Sequence, residues 1–122
     1  MIAGSVSDSS EAIIGLAVSG PGGEISIDAV VDTGFDGSLS LPPALISRLS
    51  LPLHGRGRAV LADGSRTVFD IYEGTVNWDG LTRRVSIDEA DTDPLVGMGL
   101  LYGYELSVEV VNGGRVAISL LP

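Results

Sequence analysis

The chain has no cysteine, no lysine and a single histidine, His54. Without cysteine there is no disulfide, no thiolate nucleophile and no Cys-ligated metal. One histidine gives a His-based triad or a multi-His metal site too little material. The seven basic residues, all arginine, face 16 Asp and Glu, for a formal charge of -9. That balance argues against a nucleic-acid partner, because phosphate binding needs a basic face. It disfavours an anionic membrane surface for the same reason. A basic n-region is missing, and no apolar run approaches the roughly 18 residues of a membrane span. The expectation is a soluble, cytoplasmic protein with neither nucleic acid nor membrane as partner. Aromatics are scarce at 5%, so Val, Ile, Leu and Ala must fill the core.

What is present suits one small domain. The 122 residues are 44% hydrophobic, enough for one core and too apolar for a disordered chain. Seventeen glycines point to many tight turns between short strands. Residues 1–10, rich in Ser, Gly and Asp, are expected as a flexible N-terminal arm, with the domain spanning 11–122.

Along the domain, residues 11–18 and 24–31 form two strand patterns around Ser19-Gly20-Pro21-Gly22-Gly23. In the second, Ile25, Ile27, Ala29 and Val31 share one face. Leu39 and Leu41 suggest a short strand. Pro43 suits the first turn of a short helix over 44–49. Residues 51–58 are expected to be irregular. Strands over 58–62 and 66–72 flank Asp63-Gly64, a sequence that favours a type I′ hairpin with positive φ at both central positions. A further hairpin joins 73–78 to 81–87 through Asp79-Gly80, and an acidic loop covers 88–93. Leu95-Val96 reads as a very short strand running through Gly97 into a helical turn. Strands over 104–111 and 115–120 close the chain around Asn112-Gly113-Gly114. The class is all-β: a barrel of about ten short strands with one or two short helices.

One stretch stands apart: Ala29-Val30-Val31-Asp32-Thr33-Gly34-Phe35-Asp36-Gly37. An apolar strand ends on a carboxylate at the lip of a glycine-bracketed turn, although desolvating a charge is costly. The plain reading is an Asp that caps the turn through its own backbone. The chemical reading needs a second carboxylate. Peptide hydrolysis without metal, Ser, Cys or His requires both an acid and a base, and two carboxylates sharing one proton supply both. A two-fold homodimer would deliver the second copy.

Asp32-Thr33-Gly34 after Ala29-Val30-Val31, with Leu95-Val96-Gly97 about 60 residues later, resembles the retropepsin-like (clan AA) aspartic proteases, in particular their small bacterial single-domain members. The likeness covers roughly residues 11–120. It implies a closed acid-protease barrel and a homodimeric aspartic endopeptidase that needs no cofactor and no metal. Asp32 would be the catalytic carboxylate of each subunit. Thr33 would bond across the dimer, and Gly34 would let substrate backbone approach. Asp36 matches a position that contacts substrate main chain. Ala62, Asp63 and Gly64 would form the flap over an extended peptide or protein substrate. Phe35 stands where retroviral and pepsin-type enzymes carry a small residue, and Gly99 where many relatives carry Asp. The same residues fit two other arrangements: a catalytically inactive dimer that binds an extended peptide or partner protein, and a monomeric structural barrel.

Overall fold

The computed structural model describes all 122 residues, Met1–Pro122. The chain is mostly β, with a closed six-strand barrel and two short helices. Strand β2 (Ala12–Gly20) and β3 (Gly23–Val31) form a long antiparallel hairpin with Leu16 opposite Ile27. Its turn is held against α1 (Pro43–Arg48), since the Gly22 N–H donates to the Leu49 carbonyl at 2.9 Å. A side chain at Gly20 would meet Leu51 Cδ2 at 2.5 Å and one at Gly22 would meet the Arg48 carbonyl at 2.6 Å, so these two glycines serve close packing.

From β3 the barrel continues through β8 (Leu95–Val96), β4 (Leu39–Leu41), β7 (Leu81–Glu89) and β6 (Arg66–Trp78). It closes where Val18 of β2 meets Val76 of β6. β8 runs parallel to β3 and antiparallel to β4, so two residues from late in the chain separate two strands from its first half. The ring buries Ile14, Val18, Val76, Ile87 and Val96 together with Leu39 and Leu41 of β4. Each such aliphatic side chain contributes about 1.5–3 kcal/mol on removal from water. Trp78 is fully buried among them and meets Tyr104 edge-on, with ring centroids 5.8 Å apart.

Several expectations change. Residues 2–6 are not a loose arm: β1 (Ile2–Val6) pairs with β2 and with β10 (Arg115–Leu120). Gly4 belongs there because a side chain at that position would overlap the Ile13 carbonyl. β9 (Tyr104–Val108) then forms one edge of the sheet. Residues 53–60, expected to be largely irregular, form β5 (Leu53–Val60), the other edge. The patterns at 66–72 and 73–78 are one 13-residue strand, β6. Its first half pairs with β5 and its second with β7 and β2, so it leaves the hairpin and enters the barrel without a break. Asp88 and Glu89 belong to β7, in register with Ser40 and Leu41, rather than to the acidic loop.

The two Asp-Gly turns differ. Asp79 and Gly80 have φ of 53° and 80°, the type I′ pattern. At the other turn only Gly64 is left-handed, at 83°. Asp63 keeps ordinary backbone there, and its Oδ1 accepts the Ser65 N–H at 2.8 Å. The Ser65 hydroxyl, and secondarily that N–H, hold the Asp63 carboxyl below the ordinary range.

Candidate functional site

Asp32 follows β3 directly and is half-buried. Its N–H donates to the Val96 carbonyl at 2.8 Å, which extends the β3–β8 pairing by one residue and hangs the turn on β8. Its Oδ1 accepts the Gly34 N–H at 2.9 Å, the short-range bond by which an Asp stabilises its own turn. Its Oδ2 accepts no hydrogen bond from the rest of the chain. Thr33 and Gly34 are exposed at the crest of the turn.

The following residues are laced to the segment after β8. The Phe35 carbonyl accepts from Met98 N–H at 2.8 Å, Ser38 from Gly97 at 3.0 Å, and Gly37 from Gly99 at 3.0 Å. The approach is too close for side chains. At Gly97 one would strike Phe35 Cδ2 at 2.5 Å, and at Gly99 one would strike Ser38 Oγ at 2.8 Å. The Phe35 ring also covers Gly37, where a side chain would meet it at 2.5 Å. α2 (Met98–Leu101) starts here, and the Arg83 guanidinium donates to its Leu100 carbonyl at 3.3 Å.

Two hollows meet at this point and share Leu95. One, of about 390 Å³, is lined by Asp32 together with Glu11, Val31, Val108 and Val110. Val110, in this lining, and its neighbour Val111 are 71% and 65% exposed, an apolar margin to the hollow. The other is a cleft of about 570 Å³ between the β5–β6 hairpin and the barrel. Ala59, Thr67 and Phe69 form its roof, and Phe35, Ser40 and Asp88 line it from the barrel side. Burial, and secondarily the Asp36 carboxylate, push the Asp88 carboxyl above its ordinary range.

Asp32, Thr33 and Gly34 therefore occupy one turn, with Asp36 just beyond it and close to Asp88. Ala62, Asp63 and Gly64 lie apart, at the exposed hairpin tip. The shafts of the hairpin, not its tip, face the cleft. No group of three or more His, Asp or Glu side chains is arranged to hold a metal ion. No helix is long and apolar enough to cross a membrane. No protein-family model matches the chain, and no curated protein matches it.

Sequence reasoning missed Ser40, Asp88 and Phe69. Alternation from Leu39 and Leu41 could have flagged Ser40 as facing away from the core. Asp88 read only as the start of the acidic loop, and its place in the cleft follows from the pairing of β7 with β4.

Proposed function

We propose that the chain is a retropepsin-like, homodimeric aspartic endopeptidase in which each of two copies supplies one Asp32. The observation that carries this reading is the turn itself. A half-buried carboxylate, oriented by the Gly34 N–H, hangs on a two-residue strand threaded between β3 and β4. Beside it, meeting the Asp32 hollow at Leu95, lies a hairpin-roofed cleft of about 570 Å³ that this reading assigns to an extended chain. The exposed crest of Thr33 and Gly34, and the apolar margin of Val110 and Val111, suit a surface that meets its twin.

In this mechanism the two carboxyl groups hold one proton between them, because like charges a few Å apart do not both ionise. The ionised Asp32 takes a proton from a water held between the pair. The water oxygen bonds to the scissile carbonyl carbon while the other Asp32 protonates the carbonyl oxygen. The tetrahedral intermediate collapses as a carboxyl proton passes to the leaving amine and the C–N bond breaks. The residues around the dyad hold and orient it, and no cofactor enters the scheme.

The Phe35 ring, seated against Gly37 and Gly97, favours a second reading: a dimer that binds an extended peptide without cleaving it. The discriminating experiment digests a peptide library with the parent chain and with Asp32→Asn at several pH values. Cleavage by the parent alone, strongest in acid to mildly acid solution, supports the peptidase. Cleavage by neither leaves the binding dimer, and a rate that climbs steadily into alkaline pH contradicts the shared dyad.

A further inference from the structure

The cleft under the β5–β6 hairpin carries more negative charge than a peptide backbone requires. Asp70, Asp88, Glu89 and Asp91 all line it. Asp70 is compensated by Arg56 at 3.3 Å. The other three have no cationic partner within 4.0 Å. A row of carboxylates is ordinarily a solvated face, and these are not grouped tightly enough for a metal ion.

Ser40 distinguishes this row. Leu39 and Leu41 point into the core, so strand alternation turns Ser40 to the opposite face. There it sits in register with Asp88 on one side and Leu95 on the other, and all three line the cleft. Ser40 is only 3% exposed, and its hydroxyl has no hydrogen-bond partner. A buried polar group left unpaired is destabilising, and an N–H donor entering the cleft would satisfy it.

We propose that this cleft is a specificity pocket for an arginine or lysine side chain of an extended peptide. This rests on the reading that the cleft takes a peptide. The aliphatic stem lies between Phe35 and Phe69. The cationic end reaches Asp88, with Asp91 nearby, and donates a hydrogen bond to Ser40 Oγ. A long side chain with an apolar stem and a charged head matches walls that are apolar with an acidic end.

The test uses the full chain carrying Asp32→Asn, which cannot turn over the probe. Four blocked alanine heptapeptides are titrated, with arginine, lysine, citrulline or norleucine at the centre, and the amide NMR shifts of the chain are followed. We expect the arginine and lysine peptides to bind at least about tenfold more tightly than the citrulline and norleucine peptides. The shifts should centre on Ser40, Asp88 and Phe69. Adding Asp88→Asn and Asp91→Asn should remove most of the preference, as should high salt. Equal affinities, no binding, or shifts that avoid those residues overturn the proposal. Cleavage of uncharged peptides by the parent with no basic preference overturns the pocket and spares the peptidase. A basic preference in binding, with no cleavage by the parent, supports the pocket and removes the peptidase.

Discussion

The ring of Phe35 lies where a side chain at Gly97 would have to go, since a methyl group there would sit 2.5 Å from Cδ2 of that ring. The bulk of one residue is thus accommodated by the absence of a side chain at the other. The same methyl group would also overlap the Gly37 carbonyl oxygen, which cannot move without breaking its bond to Gly99.

Gly97→Ala should therefore cost about 2–4 kcal/mol of stability, read from the urea midpoint. Phe35→Ala in the same chain should not restore it, because the overlap with the carbonyl persists. Gly15→Ala, at a strand position with nothing within 4 Å, should change stability by less than about 0.5 kcal/mol.

Asp32→Asn keeps an oxygen that can accept the Gly34 N–H. It should unfold within about 0.5 kcal/mol of the parent, while Asp32→Ala loses that bond and about 0.5–1.5 kcal/mol. If the proposed chemistry holds, both variants cleave peptides at least about a thousandfold more slowly than the parent. Thermal melts alongside the digests separate loss of chemistry from loss of fold.

Asp88 gives stability a pH dependence. Burial, reinforced by Asp36, raises its folded-state pKa above the unfolded value. Its contribution is fully present below the ordinary carboxylate range and is lost as pH rises through the raised value. Asp88→Asn cannot ionise and should be more stable than the parent at pH 7. That advantage should vanish below about pH 4. A difference in Tm that is the same at pH 3 and pH 7 would contradict the assignment.

A shared dyad makes activity depend on concentration. Below the dimer dissociation constant, rate should rise with about the square of chain concentration and become linear above it. Light scattering should report the dimer over the linear range. Linear activity from a chain that scatters only as monomer would remove the two-copy mechanism.

Much of the barrel was legible because its signals are local. Alternation marked β3, and Asp79-Gly80 marked a turn whose two residues both accept left-handed backbone. The errors fell where pairing decides. Nothing between Tyr72 and Glu73 says whether a strand stops, and β6 continues because β2 and β7 receive its second half. Gly4 and Ser5 looked like arm residues, yet the glycine is what lets β1 approach β2. At the site, Asp32 announced itself as a charge ending an apolar strand. Ser40 did not, because a serine between two leucines becomes unusual only once its hydroxyl is found buried and unpaired.

The threading of β8 has a consequence for the order of events during synthesis. β2, β3, β4, β5, β6 and β7 all leave the ribosome before Leu95 and Val96, yet β3 and β4 have no partner to join them until those two residues arrive. A nascent chain ending at residue 93 can make its hairpins but cannot close its ring. The carbonyl that accepts the Asp32 N–H belongs to Val96, so the backbone of this turn stays unanchored until the barrel can shut. The chain is therefore unable to assemble its proposed reactive centre ahead of the fold that shields it.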